Sequence, residues 1–225
     1  MQPTDLLSQD HRIIERVMNA LEAAARRLQA GAPVRPGFFV EAAEFIKGFA
    51  DGCHHRKEED HLFPAMEEAG FPRFGGPIGV MLGEHDEGRQ YTGALRAAAE
   101  RLASGDAMAA DAVVENALRY IGLLRQHIMK EDNVLFVMAK RALPPEQQEA
   151  LLQAFDRLER EDGTRERWLA LAGKLEHEVG PEQSRRRLKA RPHGSVEHTT
   201  RDARRRLRGQ RVTVGRSQAR LDGAP

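Results

Sequence analysis

The chain has 225 residues, 35 Lys+Arg against 34 Asp+Glu and a 40% apolar fraction, enough for a sizeable core, which excludes a disordered or fibrous chain over most of its length. A single cysteine, Cys53, excludes an internal disulfide, and the first ten residues lack the basic and apolar regions of a secretory leader, so a reducing, cytoplasmic setting is expected. No window approaches the roughly 18 uninterrupted apolar residues of a membrane span, so a soluble protein is expected.

Glycine and proline fall in clusters that cut the first 180 residues into helix-length pieces. The breaks lie at Gly31, Pro33, Pro36 and Gly37, at Gly70, Pro72, Gly75, Gly76 and Pro77, at Ser104, Gly105 and Asp106, and at Pro144 and Pro145. Between them apolar residues recur at steps of three and four, with few of the alternating or β-branched runs of strands. The spacing predicts an all-α fold, an up-down-up-down four-helix bundle.

In the first segment the stripe is Leu7, His11, Ile14, Met18, Leu21, Ala25 and Leu28, with a histidine inside it. The second segment is less regular. Its upstream stripe of Ala42, Ile46, Phe49 and Cys53 is one residue out of step with His54, Glu58 and His61, and Gly48 and Gly52 are expected to loosen the helix there. The third stripe runs Met81, His85, Gly88, Thr92, Leu95, Ala99 and Leu102. The fourth runs Val113, Ala117, Tyr120, Leu124, His127, Glu131, Val134 and Met138. Such stripes face a shared interior, so their polar members are predicted to be buried near the bundle axis. A fifth stretch over 145–179 is expected to break at Asp162-Gly163-Thr164, with Thr164 capping the restart, and to pack outside the four.

The second and fourth segments share His-x-x-Lys-Glu-x-x-x-Leu-Phe, from His54 to Phe63 and from His127 to Phe136. Four residues turn a helix by about 40°, so His54 with Glu58, and His127 with Glu131, leave the same face one turn apart. With His11 and His85 they place four imidazoles and two carboxylates in the interior. Burying carboxylates without compensation is costly, and imidazoles cannot satisfy one another's nitrogens, so a bound divalent cation is the economical resolution. Six ligands exceed the needs of one tetrahedral zinc and suit two ions, with Glu58 and Glu131 bridging and two histidines completing each.

These residues resemble the hemerythrin-like HHE cation-binding domains, whose pattern is His, His-x-x-x-Glu, His and His-x-x-x-Glu on four successive helices. His11, His54 and Glu58, His85, and His127 and Glu131 match it in order, and the resemblance extends over about residues 4–179. It implies a bundle core over about 4–142, extra helices over 145–179, and a domain over 1–180. It also implies a non-haem di-iron centre that binds or reacts with O2, peroxide or nitric oxide, or senses or handles iron. Zinc and manganese suit the same ligands. The residue four after His85 is Arg89, where the oxygen-carrying hemerythrins have a second histidine, which weakens a carrier role and leaves one iron open to water, a substrate or a replacement ligand such as a tyrosine. Binding, sensing and redox turnover all use this ligand set, and with no glycine-rich phosphate loop any electrons come from outside.

Each residue also has a plainer reading: a lone core histidine for His11 or His85, and ordinary i,i+4 helix pairs for the two His-Glu sets. His55, about 100° from His54, is expected at the bundle edge. His61 is expected to line the site without ligating, Glu15, Glu59 and Asp132 to be solvated charges, Tyr120 to be core or pocket wall, and Cys53 a buried thiol. The competing functions are a ferritin-like carboxylate di-iron protein, for which Glu58-Glu59-Asp60-His61 supplies Glu-x-x-His spacing once, and a metal-free helical interaction module.

Residues 181–225 carry 13 Lys+Arg and 4 Asp+Glu, against 22 and 30 in the first 180. With Arg185-Arg186-Arg187, Arg204-Arg205-Arg206 and no aromatic residue, this tail is expected to be disordered, either merely solvated or touching nucleic acid or an acidic partner through charge alone.

Overall fold

The computed structural model describes residues 1–35 and 37–180. The described residues form six helices and no strand. Helix α1 is Pro3–Gln29. Helix α2 covers 37–68 and changes pitch along its length: α-helical over Gly37–Phe45, π-helical over Ile46–His55 and again over Glu58–Leu62, and α-helical over Phe63–Glu68. Helix α3 is Pro77–Ala103, and a 3-10 turn at Ala107–Ala109 leads into α4 over 110–142, with a π turn at Glu131–Leu135. Helices α5, Pro145–Asp162, and α6, Arg165–Val179, complete the described chain. The assignments made for the basic tail from sequence lie outside the described residues.

Helix ends fall where the sequence breaks. Gly163 closes α5 in the left-handed conformation, φ 59°, which glycine adopts without a Cβ penalty. Thr164 sits at the start of α6, but its hydroxyl accepts the Trp168 indole N–H at 2.8 Å instead of capping a backbone amide.

Helix α1 packs on α4, α2 on α3, and α3 on α4, while α5 and α6 lie against α1 and α2. The apolar core is in two parts. The larger includes Ile14 and Met18 of α1, Phe49 and Cys53 of α2, Leu95 of α3, Leu124 and Ile128 of α4, and Trp168 of α6. The smaller gathers Leu7, Leu62, Phe63, Met81, Leu135 and Phe136 with Phe155 of α5. Between them lies a polar layer that includes His11, His54, Glu58, His85, His127 and Glu131. Chain order through the layer alternates: α1 and α3 pass from the smaller cluster to the larger, α2 and α4 from the larger to the smaller.

The π turns account for two departures from a uniform helical stripe. A π turn closes i→i+5 bonds and takes up one extra residue, so the inward face slips by one position. In α2 this is the register break between Cys53 and His54. In α4 it carries Val134 out to 50% exposure and brings Leu135 and Phe136 into the core in its place. Gly48, expected to loosen α2, allows a close approach: a Cβ there would stand 2.0 Å from Trp168 Cζ2.

Candidate metal centre

All six candidate ligands are buried, none more than 1% exposed. His11 Nε2 lies 3.1 Å from His54 Nε2, and His85 Nε2 lies 3.1 Å from His127 Nε2. Two nitrogens facing each other at that distance suit cis ligands of one ion, which with bonds of about 2.1 Å stand about 3.0 Å apart. The carboxylates lie between the pairs. Glu131 sets Oε2 3.1 Å from His11 Nε2 and Oε1 3.2 Å from His127 Nε2. Glu58 sets Oε1 3.7 Å from His54 Nε2 and Oε2 3.5 Å from His85 Nε2. Each carboxylate thus offers one oxygen to each histidine pair.

Two groups of donor atoms result, each within 4.8 Å: His11, His54, Glu58 and Glu131, and His55, Glu58, His85 and His127. Neither oxygen of Glu58 or Glu131 makes a hydrogen bond of good geometry in the protein, and what faces the Glu131 oxygens are His11 and His127 Nε2 at 3.1 and 3.2 Å. Buried carboxylate oxygens without donors are rare and expensive, and a divalent cation satisfies them. The donor set therefore fits a metal.

Outside this layer stands a ring of acidic groups on the far side of the imidazoles. Asp132 Oδ1 lies 2.9 Å from His11 Nδ1, Glu59 Oε1 2.7 Å from His85 Nδ1, and Glu84 Oε2 3.0 Å from His127 Nδ1. Asp10 Oδ2 is 3.9 Å from His54 Nδ1. An Nδ1–H donated outward leaves the Nε2 lone pair facing inward, the tautomer a metal needs. Glu59 and Asp132, expected as solvated charges, are instead half-buried partners of His85 and His11. The sequence holds a trace of this ring: an acid precedes each lone histidine, Asp10-His11 and Glu84-His85, and an acid follows each glutamate, Glu58-Glu59 and Glu131-Asp132. The lysines repeat as well, Lys57 bonding Asp10 at 2.8 Å and Lys130 pairing with Glu84.

The electrostatics separate the two carboxylates. Burial, reinforced by Glu131, pushes the Glu58 carboxyl well above its ordinary range. Burial also opposes ionisation of Glu131, but His127 and His11 outweigh it and hold Glu131 well below that range. Against burial, Glu131 and Glu84 raise His127 to about 9, and Asp132 and Glu131 raise His11. Burial lowers His54 to about 4 and lowers His85. The hydrogen bond from His85 leads in lowering Glu59 to about 2.

His55 departs from expectation. His55 is 3% exposed in the centre of the layer instead of at the bundle edge, because the π-helical stretch Ile46–His55 turns two consecutive residues inward. His61 faces Phe155 of α5, ring centroids 6.2 Å apart, and belongs to neither donor group. Arg89 bonds Glu59 at 2.9 Å and Asp86 at 2.7 Å, while Tyr120 is buried. Beside Asp51 and Arg89 a cleft of about 420 Å³, with Lys47 and Arg96 in its wall, opens to solvent, and a second of about 450 Å³ borders Arg12 and Asp132.

The hemerythrin HHE cation-binding domain model matches residues 2–139. The chain belongs to that family. The matched region takes in all four helices of the donor layer and ends before α5 and α6. Among curated proteins, two from Mycobacterium tuberculosis strains and one from Mycobacterium bovis, each described as uncharacterized, are 30% identical over 134 residues, 60% of this chain and 51% of theirs. The chain thus spans about half the length of the curated relatives it matches. No solved structure matches the chain. In this HHE domain no described helix is long and apolar enough to cross a membrane.

Proposed function

We propose that this chain holds a pair of metal ions, iron in its working state, with His11 and His54 on one ion, His85 and His127 on the other, and Glu58 and Glu131 bridging them. The observation that carries this reading is the position of the two carboxylates, each with one oxygen toward each histidine pair. We assign the domain to 1–180, an up-down-up-down bundle with α5 and α6 outside it, which the alternating passage of α1 to α4 through the polar layer supports. We assign the basic segment 181–225 either to solvent alone or to contact with nucleic acid or an acidic partner through charge.

When bound, a ferrous pair supplies redox chemistry toward O2, peroxide or nitric oxide, and the domain binds, senses or turns over such a small molecule. The protein's own part is preorganisation. Asp132, Glu59 and Glu84 hold three imidazoles with Nε2 inward, the two apolar clusters exclude water above and below, and the buried layer strengthens every charge interaction within it. A ferritin-like centre is disfavoured because His61, the histidine of its Glu-x-x-His spacing, faces Phe155. A metal-free module leaves both oxygens of the buried Glu58 without a hydrogen-bond partner.

The test is to load Glu58→Gln and Glu131→Gln variants anaerobically with ferrous iron and to measure magnetic coupling between the irons. Loss of coupling in each is expected, and two coupled irons retained in both overturns the bridging assignment.

A further inference from the structure

We propose that His55 is a fifth imidazole ligand, so that the ion beside α3 and α4 is held by three histidines and the ion beside α1 by two. This rests on the metal-pair reading above and goes beyond it, since the repeated His-x-x-Lys-Glu motif contains no such position.

The first ground is placement. A donor atom of His55 lies with those of Glu58, His85 and His127 in a group whose members are all within 4.8 Å. Trans ligands of one ion at bonds of about 2.1 Å are about 4.2 Å apart, so small adjustments bring the four onto one centre. The ring is stacked on that of His85, with centroids 3.8 Å apart and planes 16° from parallel.

The second ground is orientation. His55 Nδ1 lies 2.9 Å from Asp51 Oδ1, the same outward carboxylate contact that His11, His85 and His127 make. That contact leaves Nε2 as the inward nitrogen. Nε2 is buried and has no hydrogen-bond partner in the protein, on a side chain 4% exposed. A histidine whose role was to fill space would leave this nitrogen orphaned.

The third ground is that the arrangement is particular to one half. The position of α4 corresponding to His55 is Ile128, which is buried in the larger apolar cluster. The corresponding stretch of α4 is α-helical up to Lys130, whereas α2 is π-helical over Ile46–His55. The extra-wide turn is what brings His54 and His55 inward together, one toward each donor group. The two halves of the layer therefore differ at this position.

The test uses the full chain loaded anaerobically with ferrous iron. His55→Phe keeps an aromatic ring to stack on His85 and removes the nitrogen; His55→Ala opens a space that free imidazole can enter. Metal content and affinity are measured with X-ray absorption, which counts imidazoles per iron, and Mössbauer spectra, which resolve inequivalent sites. In the parent chain two distinct iron environments are expected. In His55→Phe one environment is expected to weaken by at least about 10–100-fold, as loss of a histidine's outer partner alone does, with fewer imidazoles per iron. Added imidazole is expected to restore the second ion in His55→Ala, which also shows that the variant is folded. His55→Phe with both ions at parent affinity and an unchanged imidazole count overturns the proposal and leaves the metal pair standing. A parent chain that retains no metal overturns both.

Discussion

Glu59 of α2 accepts from His85 of α3 at 2.7 Å, and its counterpart in the repeat, Asp132 of α4, accepts from His11 of α1 at 2.9 Å. The two contacts cross-link the helices in pairs and aim both imidazoles with Nε2 inward. Glu59→Ala and Asp132→Ala are each expected to weaken one ion by about 10–100-fold while leaving the other in place. Metal titration of each variant checks this, and equal weakening of both ions in either variant contradicts it.

Lys57 and Lys130 occupy equivalent places in the repeat but different solvent. Lys57 is fully buried between Asp10, 2.8 Å, and Glu159, 2.5 Å, whereas Lys130 is 34% exposed beside Glu84. Removing one partner of a buried pair strands the other charge. Lys57→Met is expected to destabilise the fold by about 3 kcal/mol, the low end for such pairs because Arg165 still bonds Asp10 at 2.9 Å. Lys130→Met is expected to remove less than about 1 kcal/mol. Urea unfolding of the two variants gives the comparison, and equal losses contradict it.

At Gly48 a Cβ would meet three ring atoms of Trp168 within 2.8 Å. Gly48→Ala is expected to displace α6 from α2 at about 1–3 kcal/mol. The chain has one tryptophan, so its fluorescence reports the displacement directly. An unshifted emission maximum with unchanged stability refutes the packing argument.

The helices, their breaks and the inward placement of the six histidines and glutamates were legible in the sequence, because i,i+4 spacing and glycine-proline clusters act locally. What was not legible came from pitch. Val134 and His55 are assigned to the wrong face by any uniform 3.6-residue period, since the π turns at Glu131–Leu135 and Ile46–His55 shift the inward face by one residue. The one-residue mismatch between Cys53 and His54 was the trace of this. Glu59 and Asp132 were hidden for a different reason: their partners are on other helices, and only the repetition of an acid beside each ligand marks them.

Metal binding is expected to release protons. His127 is raised to about 9, so in the metal-free protein it carries a proton near neutrality that a cation must displace, and the upward shift of the Glu58 carboxyl acts in the same direction. Each raised group stabilises the metal-free fold below its unfolded pKa and loses that contribution as pH rises through its folded value. Metal affinity therefore rises with pH while metal-free stability falls, and the gain in Tm on loading is expected to grow between about pH 6 and pH 9. Thermal melts of loaded and metal-free protein across that range test the sign, and a gain that shrinks with pH contradicts it.

The paired metal site is tested by elemental analysis of the full chain after anaerobic loading with ferrous iron and desalting. The two donor groups, which share Glu58 and between which Glu131 reaches His127 at 3.2 Å, predict about two irons per chain. A chain that retains no metal, or a single ion at saturation, contradicts a paired site.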